Sequence, residues 1–503
     1  MKTSSASSAN SSAKTELFLA AHDVVAGKQA GALTRMRKIR AAFLFVVALL
    51  PGIPAQASDR IQPWMMADWN SPAPHLADLD MAPRELAAAI GKRLVLFSHP
   101  ARDISIPSAS GPRRFSGARF VTAVARVDLP AQTMRRRLQD FSGYKHLFPM
   151  LTASDVLTLD GKNVVARYRV EIPLPALATF SIGFRIKHAL ETDGSISSLL
   201  IDGKAESLIA MVGGISDELA DQPVLSRWEF VPLNQKQSLL VFTYWDRVEL
   251  KSYFARKFME AYPELRVVGP YMVAAGAAES IHRNFVLAVP VNEEVAPLGL
   301  EPLGKMQALM ERLSAYGHVV VMEPEQAVAP GLKVAPLRYV SMATRLQAPV
   351  AESRRLATSY ERLPEVLKEL SRISANDRGR QVDLDLTARF AFMVIRFTLD
   401  LDVLNTWVTP DRLEFRRTAG DLAQLRGASE WHAVAGSRDA LMLISVAHEV
   451  GEEAPFIVRM AHKIADRIPF IDPLTSMAVQ MVVMERMKPW IEKNAVAEKP
   501  LHP

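Results

Sequence analysis

The sequence predicts an α+β fold built twice in tandem. Each copy is a strand, a helical hairpin, a six-strand antiparallel meander and a long closing helix. Three observations carry this. The first is a stretch that occurs twice. Arg119-Phe-Val-Thr-Ala-Val-Ala-Arg126-Val-Asp-Leu-Pro130 returns as Arg338-Tyr-Val-Ser-Met-Ala-Thr-Arg345-Leu-Gln-Ala-Pro349, with Arg, Val, Arg and Pro in register. The echo continues: Tyr144-Lys-His-Leu-Phe-Pro149 answers Tyr360-Glu-Arg-Leu-Pro364, and Ser226-Arg-Trp228 answers Ser429-Glu-Trp431. Three matches in one order, at a period of about 200 residues, indicate a duplication. The second observation is a run of period-2 segments in each copy, and the third is a long helical segment closing each.

The elements follow in order. Residues 1–57 are expected to lie outside the fold. Met36-Arg-Lys-Ile-Arg40 is a basic n-region, Ala41 to Leu50 an apolar stretch too short to span a bilayer, and Ala55-Gln56-Ala57 a small-residue cleavage site. This reads as a secretory signal peptide cut near Ala57, with Met36 a second candidate start. Ser58 to Pro83 reads as an irregular arm. Pro83 then opens a helix over 84–92, followed by a strand at Leu94-Val-Leu-Phe97. The same pair precedes the second copy, as a helix over 305–315 and a strand at Val319-Val-Val-Met322. Ser105 to Gly117 reads as a Ser/Gly/Pro loop, and Ala131 to Asp140 as a helix.

Within the first copy Val164, Ala166, Tyr168, Val170 and Ile172 alternate with polar or outward residues. So do Phe180, Ile182, Phe184 and Ile186, and then Trp228 and Phe230. Each is a strand with one buried and one wet face. Asp160-Gly161, Asp193-Gly194 and Asp202-Gly203 sit where hairpin turns are wanted. A helix is expected over Tyr271–Phe285, after Gly269-Pro270. Pro290 to Pro302 is the expected linker. In the second copy Val382 to Arg389 and Met393 to Asp402 alternate likewise, and a final helix starts at Asp472-Pro473 and runs to about Ile491. The expected division is 1–57 extension and signal peptide, 58–297 first domain with its arm, and 298–503 second domain.

Charge narrows the partners. Residues 1–57 hold seven basic and two acidic groups, five of the chain's six net positive charges, which leaves the rest at about +1. Nucleic acid is therefore not an expected partner. With no cysteine, disulfides, thiolate ligands and a cysteine nucleophile are excluded. Export without disulfides suits a bacterial periplasm.

The order of elements resembles the START-like helix-grip superfamily (SRPBCC). Asp128-Leu-Pro-Ala131, Asp140-Phe-Ser-Gly-Tyr144 and Leu147-Phe-Pro149 look like the first strand and helical hairpin of its coenzyme-Q-binding and polyketide-cyclase branch. Trp228-Glu-Phe-Val-Pro232 resembles that branch's penultimate strand. The second copy keeps Gln347-Ala-Pro349, Tyr360 and Leu363-Pro364 but loses the Phe and Pro after Trp431. The resemblance implies two tandem helix-grip domains, each a curved antiparallel sheet wrapped around a long C-terminal helix. An apolar cavity between sheet and helix would take a lipid, quinone, sterol or polyketide-like molecule.

The candidate ligand-binding residues are Tyr168, Phe180, Phe184, Trp228, Phe230 and Tyr244 on inward strand faces, with Tyr271 and Met272 on the opposing helix. The bland alternative for each is that it fills a core. The second copy offers Phe397, Trp431, Met442, Met477, Met481 and Met484. Residues for metal, phosphate or dinucleotide binding do not occur at the spacings those sites need, and no catalytic residue or cofactor is assigned. His448-Glu449 reads as a surface pair. His188, continuing an inward face, and Asp246 at a strand end are the one candidate acid–base pair, with a rim hydrogen-bonding role for His188 as the plainer reading. Met134-Arg-Arg-Arg137 would be the surface for transient membrane contact, against a solvated helix face as the default. The expected activity is a non-catalytic carrier of a hydrophobic ligand. The alternatives are a cyclase- or hydrolase-like enzyme, and an envelope scaffold with filled cores.

Overall fold

The computed structural model describes residues 61–174, 178–207, 223–247, 259–285, 289–291, 305–328, 337–392, 395–455, 458–459 and 470–497. The expected signal peptide and most of the expected linker fall outside these residues.

The first half opens with an arm containing a short helix α1 (Pro63–Met66) and a 3-10 turn (Leu76–Leu79). Then come helix α2 (Pro83–Ile90), strand β1 (Leu94–Ser98), strands β2 (Arg102–Ile106) and β3 (Arg113–Ala118), and strand β4 (Val121–Val127). The helical pair is α3 (Ala131–Gln139) and α4 (Tyr144–Leu147). The meander is β5 (Leu151–Asp160), β6 (Asn163–Leu174), β7 (Ala178–Leu190), β8 (Ile196–Ser207), β9 (Val224–Pro232) and β10 (Ser238–Asp246), closed by helix α5 (Leu265–Phe285). Strand β11 (Val289–Val291) leads into the second half. It continues with α6 (Lys305–Leu313), β12 (Val319–Met322), β13 (Gln326–Val328), β14 (Val340–Leu346), α7 (Val350–Ala357) and a 3-10 turn (Tyr360–Glu365). The second meander is β15 (Leu370–Asp377), β16 (Gln381–Phe392), β17 (Ile395–Thr409), β18 (Arg412–Gly420), β19 (Gln424–Ala433) and β20 (Ala440–Glu449), closed by helix α8 (Ile471–Ala497). The strand, helical pair, six-strand meander and long helix come in the order read from the sequence in both copies, and β2, β3, β11 and β13 are additions to it.

Among the described residues, sixteen strands form one sheet in the order β15-β16-β17-β18-β19-β20-β14-β12-β1-β4-β10-β9-β8-β7-β6-β5. The halves join by antiparallel pairing of β1 with β12, and the join has pseudo-two-fold symmetry. Leu96 lies opposite Val320, while Val95 opposite Val321 and Phe97 opposite Val319 are the same contact seen from either side. Leu96 faces Ala123 on β4, and Val320 faces Met342 on β14. This is the correspondence that the recurrent Arg-Val-Arg-Pro stretch gives. Equivalent hydroxyls pair in each half: Thr122 with Thr243 at 2.8 Å, and Ser341 with Ser445 at 2.6 Å.

Strand alternation places two cores on the two sides of this sheet. On the inner side Leu94, Leu96, Ala123, Val320 and Met342 meet both long helices. Helix α5 presents Val268, Tyr271, Ala274, Ala275, Ala278 and Ile281, and α8 presents Leu474, Met477, Met481, Met484, Met487 and Ile491, at the 3–4 residue spacing of one helix face. On the outer side Val95, Phe97, Val319 and Val321 meet α2 and α6 through Leu86, Ile90, Met306 and Met310. Burying each such side chain contributes about 1.5–3 kcal/mol.

Several expectations are corrected. The Ser105–Gly117 segment is not a loop: β2 and β3 pair as a hairpin, and Ile104, Ile106 and Phe115 pack with Trp245 on the outer side. Asp202-Gly203 is not a turn but lies inside β8. The Asp202 carboxylate pairs with Arg185 across the strand (Nε to Oδ1 2.8 Å), and the register shifts just beyond. Helix α5 begins at Leu265 and runs through Pro270, because Val268 and Tyr271 on either side are both fully buried. Helix α8 passes Pro489 and ends at Ala497. The Trp echo slips: Trp431 faces Met442 as Phe230 faces Leu240, so Phe230, not Trp228, is its structural counterpart.

The outer strand face expected to be wet is partly covered. Lys187, Arg227 and Glu229 are buried beneath the arm. Lys187 donates to the Ala67 carbonyl and Arg227 to those of Ala73 and Ser71, while Glu229 accepts from the Leu76 amide at 3.2 Å. The arm is held by these charges and by Trp64, Trp69 and Met65 beneath it.

Candidate functional site

The candidate residues sit on the inner side of the first half, where β6 to β10 face α5. Tyr168, Trp228, Tyr244 and Tyr271 are buried there, and Phe184, Phe230 and Met272 are half-buried against the same core. The side chain of Phe180 lies outside the described residues. Two groups assemble. Trp228 stacks near Phe242 at 4.2 Å between ring centres, with Tyr244 beyond at 6.2 Å from Phe242. Tyr168 meets Phe184 at 5.7 Å and Tyr144 at 5.6 Å.

The polar atoms of this cluster are spent internally. The Tyr144 hydroxyl donates to the Leu138 carbonyl at 2.8 Å. The Tyr168 hydroxyl meets His188 Nε2 at 2.8 Å, and His188 Nδ1 meets Ser198 at 2.8 Å. Phe141 stacks on the His188 ring at 4.1 Å. Burial lowers the His188 pKa to about 3, so the ring is neutral at ordinary pH. His188 is therefore not a rim residue, because β7 carries it beneath Phe141, with Tyr144 of α4 edge-on to it. Nor does it join Asp246, which hydrogen-bonds Tyr244 and helps raise that phenol's pKa, after burial itself.

Tyr271 is separate from both groups. Its hydroxyl donates to the His318 carbonyl at 2.6 Å and meets Ser98 at 2.7 Å, so it ties α5 to the junction of β1 and β12. The same junction explains the first arginine of the recurrent stretch. Arg338 in the second half pairs with Glu279 of α5 in the first, at 2.7 Å. Burial alone would raise the Glu279 pKa, but Arg338 and His282 outweigh it and bring it to about 2. On the other side of the junction the hydrogen bond from His318, 2.7 Å away, is the main influence lowering the pKa of Glu485 of α8, with Arg119 of the first half the least of several charges that add to it. The closing prolines, Pro130 and Pro349, are the caps preceding α3 and α7.

In the second half the inner side is lined by Trp431, Trp407, Met442, Met477, Met481 and Met484. Trp407 and Trp431 lie 6.1 Å apart. The Phe397 side chain lies outside the described residues. His448 is not a free surface group, since its Nδ1 meets Ser476 of α8 at 2.7 Å. On α3, Met134 is buried, Arg136 and Arg137 are exposed, and Arg137 lies over the Phe285 ring at 5.3 Å.

A cleft of about 210 Å³ opens elsewhere, on the outer side at the junction. Asp78, Asp80, His99, Arg102, Arg312 and Tyr316 are among its walls. No sequence motif marks it, because its walls come from the arm, the segment between β1 and β2, and the end of α6, which are far apart in the chain. Among the described residues, no helix is long and apolar enough to cross a membrane.

No family model matches the chain, and no curated protein matches it. Solved structures do. The di-domain ARO/CYC StfQ from the steffimycin biosynthetic pathway is 10% identical, covering 75% of this chain and 99% of its own, with a TM-score of 0.26. The di-domain ARO/CYC BexL from the BE-7585A biosynthetic pathway is 12% identical, covering 76% and 100%, with a TM-score of 0.24. A START superfamily protein from Mycobacterium smegmatis is 17% identical, covering 34% and 97%, with a TM-score of 0.24. The repeated order of strand, helical pair, six-strand meander and long helix stands on the elements described above, which share one sheet and not the two separate sheets that were expected.

Proposed function

We propose that the protein is an exported carrier of a hydrophobic ligand, built of two helix-grip units at 58–297 and 298–503. The observation that carries the reading is the continuous apolar inner face, shared by the two halves and roofed by α5 and α8. Such a face takes up an apolar molecule through burial worth about 25 cal/mol per Å², while a few polar groups set its orientation. In the first half Phe184, Phe230 and Met272 are the half-buried contacts around Tyr168, Trp228 and Tyr244. A carrier is favoured over an enzyme because His188 and Asp246 are engaged separately, each in a closed hydrogen-bonded pair or relay. Periplasmic location rests on the n-region and the small-residue site before Ser58.

Native mass spectrometry of protein purified from the periplasm, followed by organic extraction, tests the reading. The expected result is an apolar small molecule released in stoichiometric amount from a chain beginning at Ser58. Consistently ligand-free protein that also fails to take up hydrophobic probes would reject the carrier. Intact Met36 at the N-terminus of exported material would reject the cleavage.

A further inference from the structure

The aromatic cluster of the first half and the surroundings of Trp431 in the second differ in how completely their polar groups are satisfied. In the first half each polar group inside the aromatic cluster, from Tyr144 through Tyr168 and His188 to Ser198, has a named partner. In the second half two do not. Trp431 is 2% exposed, and its indole Nε1–H has no hydrogen-bond partner among the described residues. Gln480 on α8 is 5% exposed. Its amide nitrogen donates to the Val340 carbonyl at 3.1 Å, and its Oε1 is left without a partner. A buried donor left open is costly, and in native proteins it usually marks a water, an ion or a ligand.

The surroundings distinguish among these. Trp431 belongs to the inner core with Met442 opposite it on β20 and Trp407 beside it. Met477, Met481 and Met484 of α8 belong to the same core. Thioether side chains are apolar and adapt to varied shapes, so these walls suit an apolar body and give no charge for an ion. At the equivalent strand position the first half has Phe230, which has no N–H to offer.

We infer that the second half holds the polar end of the ligand, with the Trp431 indole N–H donating to a carbonyl-type oxygen on an otherwise apolar molecule. The inference rests on the carrier reading and deepens it: the cargo is an apolar compound with an acceptor oxygen, such as a quinone, ketone or ester, and not a bare hydrocarbon.

The experiment compares full-length wild type with Trp431→Phe, which keeps the ring bulk and removes the donor. Trp69→Phe in the arm controls for loss of an indole elsewhere. Menadione, which has quinone oxygens, is titrated by calorimetry, and diphenylhexatriene, which has none, by fluorescence. The expected result is that Trp431→Phe weakens menadione binding on the order of tenfold, since a lost buried hydrogen bond is being read. Diphenylhexatriene binding and the melting temperature stay unchanged, and Trp69→Phe behaves as wild type. Equal menadione affinity in wild type and Trp431→Phe overturns the inference. So does an equal loss for both probes, which would mean altered shape. Wild type that binds diphenylhexatriene but not menadione overturns this inference alone, whereas wild type that binds neither overturns the carrier reading with it.

Discussion

At the scale of the residue, His188 shows how burial changes a role. Its pKa falls to about 3 and that of His99 to about 4, each chiefly through burial, with Arg102 adding to the effect at His99. Both folded values lie below the ordinary histidine value of 6.5. The stability each group contributes is therefore complete above pH 6.5 and is lost as pH falls toward the folded value. Glu279, held at about 2, adds a further loss below its ordinary value of 4.5. Urea midpoints are expected to fall steadily from pH 6.5 to 4. His188→Gln, which keeps partners for Tyr168 and Ser198 but cannot titrate, should flatten that decline; an unchanged slope would remove His188 from the account. Trp228 offers a second measurement. Trp228→Ala opens a cavity beside Phe242 and should cost about 3–5 kcal/mol in denaturant unfolding. A cost under about 1 kcal/mol, as at a yielding surface site, would argue against the packing described.

At the scale of the element, alternation and duplication were legible because each inner strand face repeats every two residues. Val164, Ala166 and Tyr168 do lie on one inner face, and the helices before β1 and β12 do occur. What was not legible depends on partners distant in the chain. Lys187, Arg227 and Glu229 look like solvent-facing residues until the arm, some 120 to 155 positions away, supplies carbonyls and an amide to them. Tyr271 has the look of a pocket aromatic, and only the junction of β1 and β12 gives its hydroxyl a structural use. The Trp motif misled by two positions because a two-residue slip keeps a side chain on the same face. The arm makes its own prediction. Deleting residues 61–82 uncovers Phe115, Trp245 and Val165 and leaves three buried charges without their backbone partners. The melting temperature should drop on the order of 10 °C, with increased binding of an exposed-surface dye. A truncated protein that melts like the full chain would make the arm an appendage.

At the scale of the whole molecule, the sheet and the inner core run without interruption across the junction. Calorimetry should accordingly show one cooperative transition, and two resolved transitions would mean that the halves unfold independently. The buried Arg338–Glu279 pair spans the halves, so Arg338→Met or Glu279→Gln alone should cost about 3–5 kcal/mol by leaving its partner uncompensated. The double variant should cost less than the two together, and simple additivity would show that the pair is not coupled.

The pairing of β1 with β12 resembles the isologous interface of a homodimer, in which one patch meets its own copy about a two-fold axis. Two unlinked copies would reach that arrangement only by collision, and their assembly would depend on how much protein is present. Joined in one polypeptide, the halves meet at an effective concentration fixed by the connection between them. Folding of the shared sheet is thereby released from dependence on abundance. The two halves are also free to diverge, since a change on one side need not be mirrored on the other: Phe230 and Trp431 occupy equivalent places with different chemistry.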